Sequence, residues 1–208
     1  METNETPTRK PPVFDLTGGY LCLDFTNTLE DRPDETPQEL LSSYSDLIAW
    51  GRQAQTVSDE EARRLLEEEA RRPDEAKATL QRAMTLREAL YRICEKVVEE
   101  GAPEESDLWI LDSVLSQGMV QARILAEGNG FRWGWLDKGE ALESVLWVVA
   151  RSAADLLTSE LRHAVRICGA EDCGWLFLDT SKNHSRRWCN MKSCGNRAKA
   201  RRYLDRNR

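Results

Sequence analysis

Cys168-Gly-Ala-Glu-Asp-Cys173 and, after fifteen intervening residues, Cys189-Asn-Met-Lys-Ser-Cys194 form the stretch that decides how the end of this chain folds. Two cysteine pairs, each held in one tight turn and well separated in sequence, suit a tetrahedral metal site. Four soft thiolates select zinc over magnesium or calcium, and a complete set of protein ligands leaves no position for a catalytic water. The sequence therefore predicts one structural Zn2+ on Cys168, Cys173, Cys189 and Cys194. Disulfides compete only if the compartment is oxidising, which nothing indicates, and an iron–sulfur cluster or redox-active thiol site is the other alternative. Cys22 and Cys94 stand alone on apolar elements, where free cysteine behaves as a small hydrophobe.

The segment around these cysteines, residues 161–208, has few apolar residues: Ile167, Trp175, Leu176, Phe177, Leu178, Trp188 and Tyr203 dominate. A piece of that size needs a metal or disulfides to fold alone, and zinc contributes on the order of 10 kcal/mol in small metal-folded modules. Gly174–Asp179 reads as a short apolar strand, Thr180–Ser185 as a turn, and Arg186-Arg187-Trp188 as the returning strand. Asn190 or Ser193 can cap a helix through Gly195–Asn207. Knuckle, hairpin and a helix carrying the last ligand is the layout of a treble-clef finger. On that helix Asn196, Lys199 and Arg202-Tyr203 lie toward one side, with Arg197, Arg201 and Asp205 toward another.

Charge is segregated in the same place. The chain has 208 residues, with 29 Lys+Arg against 36 Asp+Glu, a formal charge of −7. From Arg166 onward there are 11 basic and 4 acidic residues, leaving the rest of the chain at −14. An acidic body with a basic tail is the signature of an appended nucleic-acid-binding module. The candidate contacts are Arg186, Arg187, Lys192, Asn196, Arg197, Lys199, Arg201 and Arg202, because Lys and Arg neutralise phosphates while Arg and Asn also read base edges. Trp188 is expected in the finger's core, with base stacking as the alternative. His184 is either solvated or near a phosphate.

Upstream, residues 1–12 are expected to be disordered, with three prolines and no apolar residue after Met1. Tyr20–Leu29 alternates Leu21, Leu23, Phe25 and Leu29 with Cys22, Asp24, Thr26 and Thr28, a period of two that predicts a half-buried strand. Asn27 intrudes on its apolar parity. Helices follow over Leu40–Gly51, from a Ser58 capping box to Arg72, from Pro73 to about Val98, and over Glu104–Gln117. Gly128-Asn129-Gly130 between Val120–Leu125 and Phe131–Leu136 signals a hairpin. Leu142–Leu157 is a further helix. The fold class is thus α+β: a mostly helical N-terminal α/β domain with a small sheet, residues 13–160, followed by a C-terminal treble-clef zinc finger, residues 161–208.

The run from Cys168 through Cys173-Gly-Trp-Leu-Phe-Leu-Asp-Thr-Ser181 to Arg186-Arg-Trp-Cys-Asn-Met-Lys-Ser-Cys194-Gly-Asn-Arg-Ala-Lys199 closely resembles the CGNR zinc finger. Its usual partner is the ABATE domain, whose early signature is similar to Leu21-Cys-Leu-Asp-Phe-Thr-Asn-Thr-Leu29. The resemblance implies a bacterial protein with an α/β domain that binds an unidentified ligand and a DNA-binding treble-clef finger, in a family of stress-induced transcriptional regulators. It also implies the four cysteines as zinc ligands.

No apolar run is long enough for a membrane span and the N-terminus has no apolar signal core, so a cytoplasmic protein is expected. There is no HExxH, GxSxG, P-loop or GxGxxG motif and no paired acid/base, so no enzymatic activity is expected. The leading expectation is a DNA-binding transcriptional regulator whose N-terminal domain senses a small ligand or mediates assembly, a homodimer included. A protein- or RNA-interaction adaptor using the same basic finger is the alternative. Asp24, Asn27 and Arg87 are the candidate ligand site, with an Asp24–Arg87 ion pair or internal network as the competing reading.

Overall fold

The computed structural model describes residues 12–206; most of the segment expected to be disordered lies outside them. The described chain begins its regular structure with a short helix, α1 (Leu21–Thr26), where the alternation predicts a strand. Leu23, Phe25 and Thr26 are completely buried and Cys22 nearly so, while Leu21 and Asp24 are partly exposed. A six-residue helix buried over most of its surface is too short to display the 3.6-residue stripe that marks a surface helix, and the alternation is a coincidence of its short length.

The other helices fall near where the periodicity puts them, although the first of them starts at Tyr44 and not Leu40, and the one expected over Glu104–Gln117 runs on to Gln121, through the start of the expected strand Val120–Leu125. α2 (Tyr44–Gln53) is capped by Ser43, and α3 (Asp59–Arg71) opens with the reciprocal Ser58–Glu61 capping box. α4 (Pro73–Val98) starts with proline at its first turn, where a missing N–H costs nothing. α5 (Glu105–Gln121) and α6 (Ser144–Thr158) complete the bundle. A two-residue pairing, β1 (Leu29–Glu30) with β2 (Gln38–Glu39), closes the loop before α2. The Asn-Gly hairpin is present as β3 (Ala122–Glu127) and β4 (Gly130–Trp135), paired antiparallel. It is anchored at one end, where Trp135 meets Trp147 at 6.2 Å between ring centroids. A Cβ at Gly118 would sit 2.7 Å from Trp147, so glycine there lets α5 close on α6. Among the described residues no helix is long and apolar enough to cross a membrane.

The C-terminal part is built on β5 (Val165–Ile167) and β6 (Leu176–Leu178), antiparallel with Ile167 opposite Leu176. The hairpin partner of β6 is therefore β5, and Arg186–Trp188 forms no strand. Only one bond, Gly169 N–H to the Arg187 carbonyl at 2.8 Å, ties that segment to the knuckle. Arg186 explains this, because its backbone N–H is taken by the Asp179 carboxylate at 3.0 Å and cannot enter a ladder. After a π-helical turn over Met191–Gly195 the chain ends in α7 (Asn196–Arg206).

β6 joins two cores. Successive strand residues point to opposite faces. Leu176 and Leu178 enter the main core with Val165, whereas Trp175 and Phe177 pack with the four cysteines and Trp188. Polar bonds reinforce the junction. The Asn27 side chain brackets Leu176, donating to its carbonyl at 2.9 Å and accepting from its N–H at 3.0 Å. The Leu178 N–H donates to the Gly18 carbonyl at 2.7 Å, the Tyr91 hydroxyl to the Gly174 carbonyl at 2.9 Å, and the Trp175 indole to the Leu29 carbonyl at 3.1 Å. Gly174 has φ +69 and stands 3.0 Å, from its would-be Cβ, from the side chain of Arg32, so both conformation and space require glycine. Replacing Asn27 with Ala leaves two buried backbone groups of Leu176 without partners, and should lower the unfolding free energy by about 2–4 kcal/mol in denaturant titrations of the full chain; a change under about 0.5 kcal/mol contradicts this bracket.

Candidate metal centre and basic surface

Cys168 and Cys173 flank the turn after β5, while Cys189 and Cys194 flank the turn that enters α7. All four are buried, and their Sγ atoms lie within 4.8 Å of one another. Cys189 Sγ is 3.6 Å from both Cys173 Sγ and Cys194 Sγ. A regular tetrahedron of sulfurs about 2.3 Å from zinc has edges near 3.8 Å, so the spacing fits one such ion. It does not fit disulfides, whose sulfurs are bonded at about 2 Å. Three of the thiols share their protons unequally: Cys168 is drawn far down by hydrogen bonds with Cys173 and Cys189, which hold their own protons correspondingly longer. A bound cation deprotonates all four.

Outer contacts orient these ligands, as they do at most metal sites. The Cys189 N–H points at Cys168 Sγ at 3.4 Å, and Arg197 Nη2 donates to Cys194 Sγ at 3.2 Å. The four residues Cys194-Gly-Asn-Arg197 thus act together. Cys194 is the ligand, and a Cβ on Gly195 would fall 2.5 Å from Met191 Sδ. Asn196 Nδ2 bonds the Lys192 carbonyl at 3.0 Å, and Arg197 braces the ligand sulfur. The Asn190 side chain accepts from the Lys192 N–H at 2.9 Å and caps the turn.

The basic residues divide into two groups. Arg197 Nε lies 3.5 Å from Asp172, and Arg201 reaches Asp172 at 2.8 Å and Glu171 at 3.4 Å, so both tie α7 to the Cys168–Cys173 knuckle. Arg186 turns inward, donating to the backbone carbonyls of Trp188 at 2.9 Å and of Cys189, with its guanidinium 4.5 Å from the Phe177 ring centroid. These three residues have partners within the finger. Arg187, Lys192, Lys199 and Arg202 are exposed and have no carboxylate partner among the described residues. Trp188 is half-buried against the cysteine core, with Arg187 and Arg202 at 5.6 and 6.0 Å from its ring. The His184 ring, exposed, contacts the Asp179 carbonyl at 3.1 Å.

Asp179 is the structural residue that sequence reasoning misses. It is fully buried and accepts from the Ser181 N–H at 2.9 Å as well as from Arg186, closing the loop that leads to the second cysteine pair. Burial pushes its carboxyl up, but these hydrogen bonds outweigh it and hold the pKa below the usual range. The Asp-Thr-Ser run carries the signal, since Asp accepts from the backbone two residues on in an Asx turn.

Asp24, Asn27 and Arg87 do not form one pocket. Asn27 belongs to the β6 bracket. Arg87 makes a bidentate pair with Glu39 at 2.7 and 2.6 Å and a further contact with Glu88 at 2.8 Å, so its partner is not Asp24. Asp24 Oδ1 accepts from the Gly18 N–H at 2.7 Å.

The fold and the sulfur tetrad define a four-cysteine finger, placed to hold one metal ion, joined to a helical body. Residues 19–160 match the ABATE family, described as "putative stress-induced transcription regulator", and residues 164–207 match the CGNR zinc finger. The chain belongs to the ABATE family and carries a CGNR zinc finger with four cysteines placed to hold one metal ion. No curated protein matches it.

Two outcomes follow for the purified full chain. Cys189→Ser should bind less than stoichiometric zinc by elemental analysis and lose the resonances of Trp175 and Trp188 from their folded positions, while the helical body keeps its circular dichroism; full zinc occupancy in this variant contradicts the site. Burial raises the Asp24 carboxyl to about 6, the Gly18 bond opposing it. The native state therefore keeps this proton to higher pH than the unfolded chain does. The stability it contributes is complete below about pH 4 and is lost as pH rises through about 6. Denaturation between pH 4 and 7 should show that decline, and Asp24→Asn should flatten it.

Proposed function

We propose that this protein is a cytoplasmic DNA-binding transcriptional regulator, in which a treble-clef finger presents α7 and the turn before it to the duplex. The observation that carries the reading is that four cations of the finger, Arg187, Lys192, Lys199 and Arg202, are exposed and have no carboxylate partner among the described residues. They cluster on the finger, whereas the rest of the chain is strongly acidic. Phosphates meet cations here and carboxylates elsewhere, which orients the approach. Asn196 and Lys199 stand three residues apart on one side of α7, where both can reach a groove. Arg197 and Arg201 hold the helix at its angle through Asp172 and are not assigned to DNA.

The N-terminal domain supplies sensing or assembly in this reading, and pairing of two copies would give the second half-site that one small module needs for specific affinity. No catalytic step is assigned to it. The family description of a transcription regulator supports the regulatory half of the reading.

Four phosphate contacts give a slope of log affinity against log salt near −3.6 on duplex DNA, from the factor of about 0.9 per contact. Titrating the zinc-loaded full chain from low to moderate salt should give that slope, and Lys192→Glu with Lys199→Glu should abolish binding without loss of zinc. Absence of duplex binding by the zinc-loaded chain contradicts the proposal. A preference for structured RNA in competition would shift the reading to an RNA adaptor.

A further inference from the structure

We propose that the cleft between the β3–β4 hairpin and α6 is a binding site for a planar aromatic carboxylate. The proposal deepens the regulatory reading by giving the N-terminal domain's ligand a chemical class. Its test reads ligand binding directly, so failure of DNA binding and failure of this site are separate results.

The cleft holds about 640 Å³. That is within the range of roughly 300–1,000 Å³ usual for small-molecule sites. One wall is a face of α6: Val148, Arg151, Ser152 and Asp155 line it at helical spacing. Tyr20 and Leu21 at the start of α1 close one end, and Glu61 with Lys138 lies at another. The opposite wall is the hairpin, through Leu125, Arg132 and Trp133–Trp135. Glycine at position 134 shapes this wall, because a Cβ there would come 2.3 Å from Leu125 Cδ1. Leu125 can therefore lie across the strand and extend the apolar surface. Trp133 remains 42% exposed, a large aromatic face left open beside an otherwise packed helix.

Arg151 gives the cleft its chemistry. Its guanidinium stacks 3.8 Å from the centroid of Trp133 and spends Nη2 on Asp155 at 3.0 Å. Nη1 is buried and has no hydrogen-bond partner among the described residues. A buried charged donor without an acceptor is rare and calls for one. A carboxylate is the acceptor best matched to a guanidinium. Arg132 and Lys138 line the same cleft, and their pairs with Glu127 at 3.1 Å and Glu61 at 3.4 Å are partly exposed contacts that a ligand carboxylate can compete with. The lining carries three cations, Arg132, Lys138 and Arg151, against two acids, Glu61 and Asp155, so its balance favours an anionic ligand. The ligand's apolar ring lies against the exposed part of Trp133, with its anionic end toward Arg151. This places the ligand away from Asn27 and Arg87, which are consumed by internal bonds.

The experiment titrates the zinc-loaded full chain with benzoate, naphthoate and biphenylcarboxylate, each against its neutral amide. Binding is read by calorimetry and by the indole resonances of Trp133 and Trp135. At least one acid should bind one-to-one and shift both indoles, with its amide weaker by about tenfold or more. Arg151→Met keeps the apolar stem over Trp133 and should weaken the acid by the same factor while leaving the amide unchanged. If that variant does not fold, Lys138→Gln provides the second reading, with the acid weakened several-fold and the amide unaffected. The proposal is overturned if no acid binds at millimolar concentration, if acids and amides bind alike, or if the shifts fall on other tryptophans.

Discussion

The convergence of four sulfurs on one point, next to a β-strand buried on both faces, is the constraint on which the C-terminal half of this protein depends. Neither part suffices by itself. The cysteine core contains few residues beyond Trp175, Phe177, Ala170 and the edge of Trp188, too little apolar surface to order this segment unaided. β6 supplies the rest by sending Leu176 and Leu178 into the main core. The metal fixes the side of the strand that faces away from the body, and the body fixes the other side. A finger held in this way is an extension of the helical domain, not a bead on a linker.

This explains why the cations separate into anchors and free groups. A helix placed only by its first ligand could swing about Cys194. Arg197 and Arg201 prevent that through Asp172, and Arg197 adds a donor to the ligand sulfur itself. Exposed ion pairs contribute little individually, so the brace works because it joins a metal ligand, a helix and a knuckle in one network. The cleft over α6 lies at the far end of the same chain segment. Tyr20 lines that cleft, and two residues before it the Gly18 carbonyl holds Leu178 of β6. A ligand there would touch the residues that seat the finger.

Much of this architecture is legible in the order of the residues. The cysteine spacing, the capping box at Ser58, Pro73 at a helix start and the Gly128-Asn129-Gly130 turn each act locally, and each is found where the sequence places it. The features that sequence reasoning gets wrong depend on tertiary surroundings. α1 reads as a strand because six mostly buried residues are too few to display a periodic stripe. Arg186–Trp188 reads as a strand too, but an Asx turn at Asp179 takes the Arg186 N–H. For Asn27 the pattern establishes only that an inward amide needs partners; the choice between ligand and backbone is made by Leu176, 149 residues away. The charge of Arg186, Arg197 and Arg201 suggests phosphate, but charge in a sequence carries no information about which acceptor arrives first. The cleft on α6 leaves no mark in the sequence because its lining comes from five separate elements and the loops between them.

The most direct test of the central claim is X-ray absorption at the zinc edge on the purified full chain. The account predicts a single shell of four sulfurs at about 2.3 Å, one zinc per chain. A first shell containing nitrogen or oxygen, or a protein whose finger is ordered with no zinc at all, would contradict it.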